Sequence, residues 1–458
     1  MSYTQVEKFL FEKVSETNLA SAAIALVKDQ QVIWSRAVGY KNLEKGLPAT
    51  PDTLYGIGSV TKSFTVLAAL KLVEQGKISL DDPVDKYVPF NVKPFGEPIR
   101  IWHLLSHSSG IPALGHAEAV IGAAIGDSDK WIPAASYNDL LAFLQDAAGW
   151  VRNKPGERWY YLNEGYELVG AVIEKVSGMS LTEFVKQNIL LPLGMNRSTY
   201  LKSDFDKDID AAVPYINTGD GKRIPSTYAY GSINAAGGLI SSVHEMAKVV
   251  SMYLNWGAYP GGQLLSKASL ETMQTPRVDT AQKEGPFGQY AYALGLGILP
   301  NFLGRRLVGH SGSVGTATAY MGFLPAEKLG VVVLVNGGGY SPSFMGQYAL
   351  AAELGEDPDK LPFVKTDHLL KELTGNYETY MGTTKISVRK AGDFLMMVNP
   401  GKFGTSTTPL IPVSLEGNHR TFYTLSGNAK VYGEFDIEPG RTTFVFERYA
   451  YRKTGDIA

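Results

Sequence analysis

Ser59 and Lys62 stand three residues apart in YGIGSVTKSFT. On a helix, positions i and i+3 share a face, so this hydroxyl and this amine can meet. A serine hydroxyl is a weak nucleophile and needs a base beside it. Lysine can be that base once burial and a nearby helix N-terminus lower its affinity for the proton. The pair therefore has the parts for attack on a carbonyl and formation of an acyl-enzyme. Gly56 and Gly58 allow the backbone to come close to a bound substrate. A second S-x-x-K, Ser387–Lys390, lies in an alternating strand pattern, where i and i+3 point to opposite faces. Two plainer readings of Ser59 compete: a helix-capping serine beside a solvated lysine, and a phosphate loop. The second lacks the glycine directly before the lysine and the strand that must precede it.

YGIGSVTKSFT resembles the active-site helix of the serine β-lactamase and penicillin-binding superfamily, whose signature includes S-x-x-K. Further segments resemble that family in chain order: HLLSHSSGIP (103–112), KPGERWYYLNEGYELVG (154–170), GGLISSVHEMAK (237–248), YALGLGI (292–298), GHSGSVG (309–315) and VVVLVN (331–336). The class C β-lactamase, esterase and D-aminopeptidase branch fits best. The combination with HSSGIPALGHAEA, NFLG and a C-terminal β-domain opening at LTGNY (373–377) is similar to the archaeal self-compartmentalising serine proteases of the CubicO group. Those carry a lipocalin-like C-terminal domain.

The resemblance assigns roles. Ser59 is the nucleophile, and Lys62 and a tyrosine of a Y-x-N motif move the proton. Four copies compete: Tyr40–Asn42, Tyr161–Asn163, Tyr215–Asn217 and Tyr253–Asn255. Tyr40 precedes Ser59, Tyr215 sits in a polar turn, and Tyr253 joins an apolar helix stripe with Met246, Val249 and Val250. Tyr161, between a Pro155-Gly156 loop and an amphipathic helix, is the expected one. Asn163 is expected to donate a hydrogen bond to the substrate or to Lys62. The third motif, K-T-G in relatives, is read at His310-Ser311-Gly312 rather than at the literal Lys453-Thr454-Gly455 near the C-terminus. His310 and Gly312 are thus expected at the substrate, and the Ser313 N–H joins that of Ser59 as an oxyanion hole. Histidine is only partly charged at neutral pH, so the exchange weakens a β-lactamase reading, which needs a cation for a carboxylate.

These groups need a scaffold. Residues 21–39 read as a hairpin turning at 28–31, and 59–76 as a buried helix ended by Gly76. Residues 164–178 and 241–257 read as amphipathic helices, 290–335 as strands, and 340–355 as a helix. Strands at both ends of a helical middle imply an α+β domain with one antiparallel sheet and an inserted helical subdomain, over 1–355. The loops at 113–150 carry no readable chemistry. A composition shift marks a linker at 356–366. Short alternating strands with turns at Gly392, Gly417, Gly427 and Gly440 then imply an all-β, lipocalin-like barrel over 367–458.

Composition narrows the function. The 458 residues are 44% hydrophobic and carry 43 basic against 45 acidic side chains, with no charge run. A nucleic-acid or membrane partner has little support. With no cysteine, thiol catalysis, cysteine-bound zinc and iron–sulfur clusters drop out. His103 and His107 have a spacing that two metal ligands can use, but no third ligand follows in register. Trp150, Trp159 and Tyr160 could line a pocket or pack in the core. The expectation is a cytoplasmic, homo-oligomeric serine hydrolase without cofactor or metal, a peptidase or aminopeptidase on short peptides, with D-residues among its substrates. A carboxylesterase or β-lactamase is the alternative, and a penicillin-binding sensor that acylates once is the third.

Overall fold

The computed structural model describes residues 3–129, 132, 136–218, 220–283 and 285–457. They form two compact units, Met1–Glu356 and Asp357–Ala458. The first is built on a nine-stranded antiparallel sheet. Its order is Val278–Lys283, Gln289–Tyr292, Gly297–Phe302, Arg305–Ser313, Ala317–Leu324, Leu329–Asn336, Ser21–Lys28, Gln31–Asn42 and Leu47–Pro48. The N-terminal hairpin thus pairs with the last strand of the unit, Ser21 opposite Asn336, and the helical segments between residues 48 and 278 are inserted.

Every residue of Leu329–Asn336 is buried. Gly330 faces Val250 of the helix Val243–Leu254, and Val331 faces Gly346 of the helix Pro342–Glu353. Neighbouring strand residues point to opposite faces, so the two helices cover the two faces. That is why this strand reads as a continuous apolar run rather than an alternating one.

The helix Thr61–Glu74 is buried on all sides from Thr61 to Leu70. It contains no glycine or proline to weaken it. It stops where Gly76 takes φ +66° and the Lys77 N–H reaches back to the Leu72 carbonyl at 3.0 Å. The helix Asn163–Ser177 ends in the same way at Gly178, φ +74°. Within 113–150, expected as loops, lie the helices His116–Ile125 and Tyr137–Phe143; residues 130, 131 and 133–135 fall outside the described residues.

The second unit is a closed eight-stranded antiparallel barrel running from Gly375–Glu378 to Tyr449–Gly455, whose last strand pairs with its first. Six of the strand patterns were visible in the sequence. The first strand, Gly375–Glu378, lies in the LTGNY segment at which the resemblance opens the domain, while the last, ending in Arg452-Lys453-Thr454-Gly455, shows little apolar alternation. Phe422, Phe435 and Phe444 fill the interior, the last two stacked at 4.2 Å. Ser387 and Lys390 lie on the strand Lys385–Ala391, where Lys390 pairs with Asp367 at 2.9 Å. Residues 356–366, expected as a linker, hold the turn Pro358–Lys360 and the start of the helix Pro362–Glu372. Proline opens both, with its φ already set for a helical turn. No helix of the described residues is long and apolar enough to cross a membrane.

Candidate active site

Ser59 lies in a tight helical turn, Gly58–Val60, that runs directly into Thr61–Glu74. One turn on, Lys62 is fully buried. Its Nζ lies 3.1 Å from Ser59 Oγ, 2.8 Å from Asn163 Oδ1 and 2.8 Å from the Ala236 carbonyl. Burial lowers its pKa to about 7, against the opposing pull of Glu167, Glu118 and Glu164. The geometry has a chemical consequence. A neutral amine keeps two N–H groups and one lone pair. Asn163 Oδ1 and the Ala236 carbonyl can only accept, so they take the two N–H groups. The lone pair is left for the Ser59 hydroxyl. Lys62 is thereby oriented as a base toward Ser59 and toward no other group of the three.

Asn163 opens the helix Asn163–Ser177. Its Oδ1 accepts from Lys62, and its Nδ2 donates to Glu118 Oε1 at 3.0 Å. A carboxylate can only accept, so the amide orientation is fixed from both ends. This reverses the expected direction: Asn163 accepts from Lys62 rather than donating to it.

Tyr161 stands beside both groups. Its ring centre is 4.8 Å from Lys62 Nζ. Burial raises its hydroxyl well above the usual phenol range, and a hydrogen bond with Ser59 pulls the other way. Tyr161 is held by a residue that its spacing from His103 marks only as half of a metal-ligand pair. His107, at φ +58°, takes the Tyr160 N–H on its carbonyl at 2.7 Å and the Leu162 N–H on its Nδ1 at 3.0 Å. It thus fastens the backbone on either side of Tyr161. Burial, with Lys62 and His310 nearby, keeps His107 neutral, the state in which Nδ1 can accept. His103 Nδ1 likewise accepts from the Arg100 N–H at 2.9 Å. Neither Trp150, Trp159 nor Tyr160 lines the cleft described below.

The strand Arg305–Ser313 closes the other side. Pairing with Gly297–Phe302 stops at Gly309, so its edge from His310 onward is free to face the Ser59 turn. The Val314 N–H donates to Ala317 at 3.0 Å, which makes the next pair, Ser313–Thr318, one whose N–H groups point away from each other. The Ser313 N–H therefore faces the turn. Glycine is required at both contacts. A methyl on Gly58, at φ +51°, would lie 2.5 Å from Ser313 N, and one on Gly312 would lie 2.8 Å from Ser59 N. The two amide nitrogens converge because nothing larger than hydrogen separates strand from turn.

His310 is 6% exposed and does not line the cleft. Strand alternation puts Ser311 on the open side instead. The His310 Nδ1 lies 2.5 Å from the Ser311 carbonyl, and Nε2 lies 2.8 Å from the Tyr292 hydroxyl. A carbonyl can only accept, so Nδ1 carries the proton and Nε2 accepts. Burial first, then the nearby Lys62 charge, hold its pKa at about 3. The expected substrate contact is therefore replaced by a neutral imidazole packed behind the wall.

Ser59, Tyr161, Asn163, Gly312 and Ser313 open onto one cleft of about 530 Å³. Its apolar wall includes Ile121, Ile125, Ile233 and Val314. Among the described residues lining it, the charged side chains are Glu118 and Asp127, both acids. Neither was singled out from the sequence, since each reaches the cleft only through the packing of the helix His116–Ile125 and the loop after it.

Residues 6–356 match the Beta-lactamase family model. The chain belongs to the beta-lactamase family. Residues 358–452 match the Pab87 octamerisation domain. An octameric penicillin-binding protein homologue from Pyrococcus abyssi is 45% identical, with a TM-score of 0.93 over 99% of this chain and 100% of that one. A penicillin-binding protein from Bacillus halodurans is 26% identical, with a TM-score of 0.61 over 75% and 98%. Protein flp of Staphylococcus aureus is 26% identical over 347 residues, 73% of this chain and 63% of that protein. The chain thus spans less than two thirds of such curated relatives. The family is one of β-lactamase-fold serine hydrolases.

Proposed function

We propose that this protein is a serine peptidase or amidase that works through an acyl-enzyme and favours short substrates with a free amino terminus. The orientation of the Lys62 lone pair toward Ser59 carries the mechanism. Lys62 Nζ takes the hydroxyl proton as Ser59 Oγ bonds to the substrate carbonyl carbon. The oxyanion sits between the N–H groups of Ser59 and Ser313. Removing one such donor costs about 3 kcal/mol of transition-state stabilisation. The proton passes by way of Tyr161 to the leaving nitrogen as the C–N bond breaks. Water, activated by the same groups, then releases the acid. Asn163 orients Lys62, Gly312 lets strand and turn meet, and His310 supports the wall.

The acidic cleft supports the substrate class. Lys62 is buried behind Ser59, and among the described residues of the lining no cation stands beside Glu118 and Asp127. A substrate carboxylate, as on a β-lactam, meets repulsion there. An ammonium is attracted. The test compares a short peptide amide with its N-acetyl form. The free amine should lead in kcat/KM by about tenfold, equivalent to about 1.4 kcal/mol. Equal rates, or a lead for the acetylated form, would overturn the amino-terminal reading, and no cleavage of either amide would favour an esterase. Acylation without turnover would favour the sensor.

We also propose that the barrel unit assembles copies of this chain into a homo-oligomer. Support comes from the octamerisation-domain match and from the octameric relative at 45% identity. Light scattering on the full chain should give a mass of eight subunits; a monomer would contradict it.

A further inference from the structure

The peptide of Ala236 is held from both sides. Its carbonyl accepts from Lys62 Nζ at 2.8 Å, and its N–H donates to Glu167 Oε1 at 2.8 Å. The Ala235 N–H also bonds Glu167, while the Ala235 carbonyl accepts from Thr65 Oγ1 at 2.7 Å. Glu167 follows Asn163 by four residues on the helix Asn163–Ser177, so the two share a face. Asn163 touches Lys62 directly, and Glu167 reaches it through one peptide unit. Glu167 is 5% exposed. A carboxylate at that depth is costly unless it is bonded and compensated, and its bonds all go to the segment that carries the Lys62 acceptor.

We propose that Glu167 is a positioning residue for the Ser59–Lys62 pair: it fixes the Ala236 carbonyl against Lys62 Nζ and sets a buried negative charge facing that amine. The inference rests on the Ser59 reading above. Several groups face Lys62. The helix Asn163–Ser177 presents Asn163, Glu164, Tyr166 and Glu167. Glu118 comes from His116–Ile125, His107 from the loop after Ile101–Leu105, His310 from the strand, and Tyr161 from the preceding loop. The three glutamates raise the proton affinity of Lys62, with Glu167 first among them, and burial lowers it more. Burial in turn raises Glu167 to about 7, opposed by its two backbone bonds and by Lys62.

The test is the pH dependence of Ser59 acylation by an uncharged activated ester, read by mass spectrometry of the Ser59 peptide. Glu167→Gln keeps an acceptor for the Ala236 N–H and removes the charge. Its acid limb should move to lower pH, with the plateau rate also reduced several-fold because a weaker acceptor holds the peptide less firmly. Glu167→Asp, which restores the charge, should return the limb toward the parent position. A residue with a merely structural role would lower the melting temperature and the amount of active protein without moving the limb. An unmoved limb in folded Glu167→Gln would overturn the proposal. Failure of the parent to label Ser59 at all would instead overturn the nucleophile reading, so the two failures are distinguishable.

Discussion

Gly312→Ala adds one methyl group where strand and nucleophile turn meet. On the observed backbone that methyl would lie 2.0 Å from the Ile57 carbonyl oxygen and 2.8 Å from Ser59 N. Both are backbone atoms of the turn, so no side-chain rotation relieves the clash. Strand and turn must part by about 1 Å to restore ordinary contact. The N–H groups of Ser59 and Ser313 then no longer converge on one oxygen. The loss should approach that of an oxyanion donor, about 10²–10³-fold in kcat, with little change in KM. Forcing a methyl into a filled site costs about 1–3 kcal/mol of stability, a shift of a few degrees in melting temperature for a unit of this size. Gly149→Ala, whose added methyl meets nothing within 4 Å, is the control. The assay is steady-state amide hydrolysis beside thermal unfolding. Parental kcat in Gly312→Ala would refute the two-amide oxyanion site.

The pH dependence follows from Lys62. It must be neutral to take the Ser59 proton, and burial brings it to about 7. Hence kcat/KM should rise with pH through that value and fall about tenfold per unit below it; a profile flat between about pH 5 and pH 9 would contradict this. Tyr161→Phe should lower kcat by about 10²-fold or more with KM nearly unchanged, as steady-state kinetics will show. In the barrel unit, buried Arg420 donates to Glu372 Oε2 at 2.5 Å and to the Leu369 and Gly417 carbonyls at 2.6 and 3.2 Å. Arg420→Ala strands those acceptors and should cost about 1–3 kcal/mol in thermal unfolding. An unchanged melting temperature would mean that the tie contributes nothing.

What was legible in the sequence was what local spacing encodes. Ser59 and Lys62 meet because a helix puts i and i+3 together. Tyr161 could be chosen over Tyr253 because the latter shares its stripe with Met246 and Val249, and all three are buried in the sheet-facing helix. The buried helix at 61–74 and the strand at 329–336 announced themselves by apolar runs. What stayed hidden depends on contacts far apart in the chain. Glu118 reaches Asn163 across 45 residues, and the Ala236 carbonyl reaches Lys62 across 174. His107 shows in the sequence only a metal-ligand spacing from His103, because its role, clamping the backbone around Tyr161, exists only after folding. The family resemblance puts His310 at the substrate. The alternation of its own strand turns it inward and gives the open position to Ser311.

The most direct test of the central claim is cleavage of matched short peptide amides, D-residue against L-residue, by purified protein with Ser59→Ala alongside. The account predicts steady amide hydrolysis that vanishes in the alanine variant, with an acyl adduct trapped on Ser59; the D/L ratio then defines the chirality of the cleft. Amide hydrolysis that survives in Ser59→Ala, or its absence from both proteins, would contradict it.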